Sequence, residues 1–203
     1  MLAAYLKPTT KPKGFDRKVG SRGAVKPSIL IVCEGTKTEP QYFESFKVKS
    51  STIYVRGTGK NTLSVVEEAE KINEKDGPYD QVWCVFDRDS FEPNKFNSAI
   101  KAAKHRSFRV AYSNEAFEIW LILHFDYYQT GSNRSDYKRL LSKRLGKKYE
   151  KNCPPIYEDL LKRQSIAIRN AEKLLRFHST PNPEKNNPST TVHILVKELI
   201  KYL

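Results

Sequence analysis

Two five-residue stretches between positions 28 and 115 are apolar at every position, unlike a strand that faces water on one side. They are residues 29–33 (ILIVC) and 82–86 (VWCVF). A continuous apolar run of this length indicates a strand that is covered on both faces, as in the interior of a parallel sheet. Between the two runs, apolar residues recur at every third position from 63 to 72, which predicts an amphipathic helix.

Strands and helices alternate through the first half of the sequence. Further strands are predicted near 53–55 and 108–112, with helices near 38–46, 63–72 and 96–103. Such alternation is typical of an α/β fold with crossovers on a mostly parallel sheet. After residue 115 the pattern changes, and helices are predicted near 116–125, 134–145, 156–177 and 190–203. We therefore predict an α/β domain over residues 28–126 and a helical C-terminal subdomain over 127–203 packed on it.

The first 27 residues have a different composition. From Lys7 to Lys26 the chain is rich in Lys, Arg, Gly and Pro, and its single acid is Asp16. Such a segment lacks the apolar surface that offsets the entropy of ordering a chain. We predict a basic N-terminal arm over residues 1–27, which is either a solvated tail or a nucleic-acid contact.

The charge of the whole chain indicates a polyanionic partner. Its 203 residues include 36 Lys and Arg against 23 Asp and Glu, a formal net charge of +13. Nucleic acid is the first candidate, and an anionic membrane surface is the second. Basic residues predicted to contact nucleic acid are Lys37, Lys143, Arg144, Lys147 and Lys148. The alternative for each is an ordinary solvated lysine or arginine.

Cysteine usage and hydropathy indicate a cytoplasmic protein. The three cysteines form no CxxC pair, and no Cys/His spacing suits a structural zinc ion. An odd cysteine count without a signal peptide is expected in a reducing compartment. No apolar stretch approaches the roughly 20 residues that span a bilayer, so a soluble protein is predicted, with nucleic acid rather than a membrane as its partner.

Acidic residues follow both of the apolar strands. Glu34 comes directly after the first, and Asp87 and Asp89 follow the second. Ligand sites in open α/β sheets form at the carboxyl ends of the strands, and residues two apart in extended chain point the same way. If the two strands are neighbours, three carboxylates converge and favour Mg²⁺ or Mn²⁺. The alternative is that these are loop acids that cap helices.

Two other phosphate- or metal-binding motifs can be excluded from the residues. Gly35-Thr36-Lys37-Thr38 lacks the glycine that a Walker A loop has directly before its lysine. The segment that begins at Asp87 lacks the third acid and the glycine of an EF-hand loop.

Four motifs of the chain resemble the RloB family, which is similar to the AbiLii component of abortive-infection systems and carries a TOPRIM domain. They are residues 29–40 (ILIVCEGTKTEP), 85–89 (VFDRD), 113–125 (SNEAFEIWLILHF) and 187–193 (NPSTTVH). The resemblance runs from about residue 28 to the C-terminus. It implies a TOPRIM-like fold in which Glu34 is the general acid/base and Asp87 and Asp89 bind metal.

The resemblance also implies further metal ligands, a cellular role and a partner. Related OLD-type TOPRIM nucleases use additional acids for a second metal, and Glu39 and Glu118 are the candidates here. An alternative for Glu39 is electrostatic stabilisation of a helix N-terminus. The implied role is bacterial anti-phage defence beside an AAA-type ATPase.

We therefore predict an Mg²⁺- or Mn²⁺-dependent nuclease that acts on DNA or RNA. The alternative is a non-catalytic nucleic-acid-binding or sensor subunit of an ATPase-containing defence complex. The sequence leaves the oligomeric state open, including a homo-oligomer.

Overall fold

Strands and helices alternate as far as residue 114, and helices dominate after it. The computed structural model describes residues 26–59, 61–88, 93–150, 158 and 160–203. In chain order its elements are β1 (Ser28–Cys33), α1 (Thr38–Glu44), β2 (Thr52–Gly57), α2 (Thr62–Asp76), β3 (Gln81–Asp87), α3 (Pro93–His105), β4 (Arg109–Asn114), α4 (Glu118–Ile122), α5 (Arg134–Leu145), α6 (Gln164–Phe177), β5 (Ser189–Thr190) and α7 (Val192–Ile200). The predicted arm, apart from residues 26 and 27, and Asp89 lie outside the described residues.

The two apolar runs form neighbouring parallel strands in the middle of the sheet. The strand order is β2-β1-β3-β4-β5, and the first four strands are parallel. This confirms the predicted α/β fold with a mostly parallel sheet flanked by helices. The chain leaves β1 on one side to form β2 and then crosses to the other side to form β3. In sheets of this kind, the crevice at the carboxyl ends of two such strands is where ligands bind.

Helices cover both faces of the sheet, which explains why β1 and β3 have no polar face. Leu30 and Val32 of β1 pack with α2 and α3 on one side. Ile29 and Ile31 point to the other side, where the core includes residues of α1 and of α4 to α7. Adjacent residues of one strand therefore belong to different cores. Among the described residues, no helix is long and apolar enough to cross a bilayer.

The C-terminal part of the chain contributes a strand where the hydrophobic pattern predicts loop and helix. Ser189 and Thr190 form β5, which pairs antiparallel with the end of β4, and α7 begins only at Val192. Thr190 and Thr191 bind to the β4 main chain, with the Thr190 hydroxyl 3.0 Å from the Tyr112 carbonyl oxygen. These contacts draw the segment out of the helix and into the sheet.

Asn187 joins the segment before β5 to the start of α5. Its Oδ1 accepts a hydrogen bond from the Tyr137 hydroxyl at 3.0 Å, and its Nδ2 donates to the Ser132 carbonyl at 3.1 Å. Tyr137 is fully buried. Asn187 therefore fixes the position of α5 relative to the edge of the sheet.

Replacing Asn187 by alanine is expected to destabilise the protein by about 2 kcal/mol, because the buried Tyr137 hydroxyl loses its acceptor. Urea unfolding at neutral pH measures the change. The matched control is Asn186→Ala, since the Asn186 side chain makes an exposed hydrogen bond to the Thr180 carbonyl. That control should lie within about 0.5 kcal/mol of wild type. Equal losses in the two variants would contradict the role assigned to Asn187.

Candidate metal centre

The structure brings Glu34 and Asp87 together at the carboxyl ends of β1 and β3. The main-chain N–H of Asp87 donates to Glu34 Oε2 at 3.2 Å, and the main-chain N–H of Glu34 donates to the Val85 carbonyl at 2.8 Å. Residues 53 positions apart in the chain are thus in direct contact. Their proximity follows from the parallel pairing of the two strands, in which Cys33 lies opposite Val85.

Asp87 is a buried carboxylate with both positive and negative neighbours. Only 7% of the residue is exposed. Burial raises the pKa of Asp87 well above its usual value, and the nearby carboxylates of Glu39 and Glu118 raise it further. The guanidinium of Arg134 and a hydrogen bond from the Phe117 main-chain N–H lower the pKa again. Arg134 and the Phe117 N–H therefore offset only part of the unfavourable environment of the ionised Asp87 carboxylate.

Glu39 lies directly against Gly35, the residue after Glu34. A Cβ atom at position 35 would be 2.2 Å from Glu39 Oε2. Only glycine leaves room for the Glu39 carboxylate there, and Glu39 is buried at 8% exposure. Its position in the first turn of α1 fits the helix-stabilising alternative, and its effect on Asp87 fits the metal-ligand alternative.

Glu118 is the most deeply buried of these acids. It is the first residue of α4 and is 2% exposed. Its Oε1 has no hydrogen-bond partner among the residues that the structure describes. A buried carboxylate oxygen without a donor is costly, and a bound cation would relieve that cost.

The donor set of this edge suits a hard divalent cation, although the ligands are not gathered around one point. Within the described residues, no three His, Cys, Asp or Glu side chains are close enough together to hold a metal ion. The chemistry fits Mg²⁺ or Mn²⁺, because the groups near Asp87 are carboxylates and no described residue donates to Glu118 Oε1. Asp89, the remaining predicted ligand, lies outside the described residues.

The basic residues predicted to contact nucleic acid are all exposed, and one of them is nearer to the acids than the other four. Lys37 is exposed at the N-cap of α1, three residues after Glu34. The exposed residues Lys143 and Arg144 are at the other end of α5 from Arg134, and Lys147 and Lys148 follow it. Ten residues of helix separate the ends by roughly 15 Å.

Two of these basic residues have acidic partners. Arg144 forms an ion pair with Asp126, and Lys148 pairs with Glu150 at 3.0 Å. These exposed pairs are worth little, so both side chains can exchange their partners for phosphates at low cost.

Three groups at the centre were missed by reasoning from the sequence. Arg134 Nη2 lies 3.1 Å from Asp87 Oδ2, the Phe117 N–H binds the same carboxylate, and the Thr62 hydroxyl is 3.5 Å from Glu34 Oε2. A main-chain donor carries no residue signature. The chain has many arginines and threonines, and no local pattern distinguishes Arg134 or Thr62. The sequence feature nearest to these groups is Asn114 of the SNEAF segment, which is the last residue of β4 at this edge of the sheet.

Comparison with known proteins gives the family. A model of the family described as RloB-like protein matches residues 29–199. The chain belongs to the RloB-like family. The matched range includes the whole sheet edge described above, from Glu34 through Asp87 and Glu118 to Arg134. No curated protein and no solved structure matches the chain.

Replacing Glu118 by glutamine is expected to stabilise the metal-free protein by about 1 kcal/mol at pH 8, because one of several buried like charges is removed. The gain should shrink as the pH falls through the raised pKa of Asp87, since a protonated Asp87 no longer repels Glu118. Thermal unfolding in EDTA, measured at pH 8 and at successively lower pH values, gives the difference in stability between the variant and wild type. The control is Glu67→Gln on the exposed face of α2. A loss of stability in the Glu118 variant at pH 8 would contradict the charge argument.

Proposed function

We propose that this protein is an Mg²⁺-dependent nuclease of the TOPRIM type that hydrolyses phosphodiester bonds of DNA or RNA. The observation that carries the proposal is the contact between Glu34 and Asp87, with further carboxylates around Asp87, at the carboxyl edge of a parallel sheet. Acids near a basic surface would repel the phosphates that the lysines attract, unless a cation neutralises them.

The residues proposed to hold the metal are Asp87, Asp89 and Glu34, with Glu39 and Glu118 as further ligands. A bound Mg²⁺ or Mn²⁺ would polarise the phosphodiester, lower the pKa of a water molecule and orient in-line attack. Glu118 Oε1 has no donor within the part of the chain that the structure describes, and Asp87 has a raised pKa; both support a need for additional positive charge.

Glu34 is proposed to move the proton. Its Oε2 accepts hydrogen bonds from the Asp87 main chain and from Thr62, and these donors orient the carboxylate. As the oxygen of the attacking water bonds to phosphorus, Glu34 takes the water proton. It then returns a proton to the oxygen that leaves when the P–O bond breaks.

The exposed basic residues are proposed to hold the nucleic-acid backbone. Lys37 is close to the acids in the chain, and Lys143, Arg144, Lys147 and Lys148 extend the positive surface along and beyond α5. Their spacing from the centre would keep several phosphates in contact while one phosphodiester occupies the site. Contacts of this kind do not distinguish DNA from RNA.

A specific observation favours the second candidate, a non-catalytic nucleic-acid-binding or sensor subunit. Arg134 partly neutralises Asp87 without a metal, and the described residues contain no three-ligand group. Such a subunit would bind nucleic acid tightly and with a steep dependence on salt, but would not cleave it.

We also propose that the protein acts in bacterial anti-phage defence of the abortive-infection kind, together with an AAA-type ATPase. The support is membership of the RloB-like family. Size-exclusion chromatography of the two proteins, alone and mixed, tests the partnership and gives the oligomeric state. Separate elution with and without ATP would argue against a stable complex.

Wild-type protein is expected to cleave single-stranded or double-stranded oligonucleotides in Mg²⁺ or Mn²⁺ and not in EDTA. Asp87→Asn and Glu34→Gln should each lower the cleavage rate by about 100-fold or more, because they remove a metal ligand and the proton-transfer group. Gel assays with end-labelled DNA and RNA measure the rates, and Glu67→Gln serves as the control.

Two results would refute catalysis. One is cleavage that survives in both variants, since it would come from a contaminant. The other is a wild-type protein that stays inert with both metals and with the ATPase present. Binding of the same oligonucleotides in that case would support the sensor subunit.

A further inference from the structure

Arg134 connects the helical part of the chain to the acidic edge of the sheet. Its Nη2 is 3.1 Å from Asp87 Oδ2, and the two side chains are 30% and 9% exposed. The contact joins residues 47 positions apart. An ion pair of this kind, with one partner nearly buried, is screened far less than a surface pair.

The position of Arg134 is not explained by its own helix. It is the first residue of α5, where the helix dipole favours negative charge and disfavours a cation. Asp136, in the same turn, has the sign that a helix N-terminus prefers. The guanidinium at this position therefore compensates the charge of Asp87 rather than stabilising its own helix.

The loop before Arg134 is held by several hydrogen bonds. Ser132 exchanges main-chain hydrogen bonds with the Asn187 side chain at 3.4 and 3.1 Å, and the Tyr128 hydroxyl is 2.6 Å from Ser132 Oγ. Asn133 Oδ1 caps α5 by accepting from the Asp136 N–H at 3.0 Å. The start of α5 is thus fixed before any ligand binds.

We propose that Arg134 is a substrate-positioning residue that competes with the divalent metal for Asp87 and, once displaced, binds a phosphate of the nucleic acid. This inference rests on the proposed metal-dependent function. A single guanidinium cannot neutralise Asp87 together with Glu39 and Glu118, so a divalent ion has the advantage at the same oxygen. The planar guanidinium is a geometric match for two phosphate oxygens at once, which a lysine is not.

Metal binding by the full chain tests the competition without relying on activity. The proteins are wild type, Arg134→Gln, Arg134→Lys and the control Arg139→Gln. Arg139 is on the same helix and pairs with Asp136 on the exposed surface. Mn²⁺ affinity is measured by calorimetry after EDTA treatment and dialysis, and melting temperature is measured with and without saturating Mn²⁺.

Arg134→Gln should bind Mn²⁺ about tenfold more tightly than wild type, because the metal no longer displaces a charged hydrogen-bond donor. It should also melt at a lower temperature than wild type without metal, and saturating Mn²⁺ should remove most of that difference. Arg134→Lys should lie between the two proteins, and Arg139→Gln should match wild type. Equal or weaker Mn²⁺ affinity in Arg134→Gln, or a loss of melting temperature that Mn²⁺ does not recover, would show a purely structural ion pair and overturn the inference.

The phosphate contact is tested with a labelled single-stranded oligonucleotide in Ca²⁺, using fluorescence anisotropy. Arg134→Gln should weaken binding by about tenfold and Arg139→Gln by less than about twofold. Equal weakening in both variants would indicate general electrostatics and overturn the phosphate role.

The failure of this inference can be separated from the failure of the proposed function. If Mn²⁺ binds with the expected competition but no oligonucleotide is cleaved, the nuclease proposal fails and the role of Arg134 stands. If neither wild type nor Arg134→Gln binds Mn²⁺, both fail.

Discussion

The groups at the carboxyl edge of this sheet are arranged around one buried charge, the carboxylate of Asp87. Asp87 is removed from water in the company of two other acids, and it receives a guanidinium from α5 and a main-chain hydrogen bond from Phe117. Its own N–H is used by Glu34 of the neighbouring strand end. Because these groups come from α1, α4, α5 and the ends of β1 and β3, the charge state of the centre depends on how all of these elements are packed. This coupling is also what would make the centre responsive to a metal ion or a phosphate.

The topology explains why the acids meet at this edge. β1 and β3 are neighbours although β2 lies between them in the chain, so the loops after the two strands leave in different directions. The crevice between them is flanked by α1, which carries Glu39, and by α4, which begins with Glu118. On the far side, β5 completes the sheet, and the Asn114 side chain binds the carbonyl groups of Pro183 and Glu184. Residues 183–190 therefore pack beside the acidic edge of the sheet, in addition to the C-terminal helices that cover its core.

Features that depend on local periodicity could be predicted from the sequence. The apolar runs predict β1 and β3 as interior strands of a parallel sheet. The convergence of Glu34 and Asp87 is predicted on the condition that these two strands are neighbours, which the structure shows. The helix at 134–145 was predicted with the bounds that it has. A two-residue strand has no periodicity to detect, so the sequence pattern does not predict β5 and places Thr190 in a helix instead.

The remaining parts of the centre depend on long-range packing, which the sequence does not display. Arg134 is one basic residue among many in a basic helix. Only its contact with Asp87 in the folded structure sets it apart. The main-chain N–H of Phe117 has no residue type to reveal it. The apolar neighbours of Glu118 in the sequence indicate that it is buried. That its Oε1 has no donor among the described residues can be seen only in the folded structure.

The hydrogen bonds between Asn187 and Ser132 have a consequence for protein synthesis. The ribosome must translate as far as Asn187 before the loop that holds the start of α5 can acquire its partner. A nascent chain or truncated product that stops earlier has both strand-end acids but lacks the support for the arginine beside them. Products that stop before Asn187 would therefore hold Arg134 less firmly beside Asp87 than the full chain does.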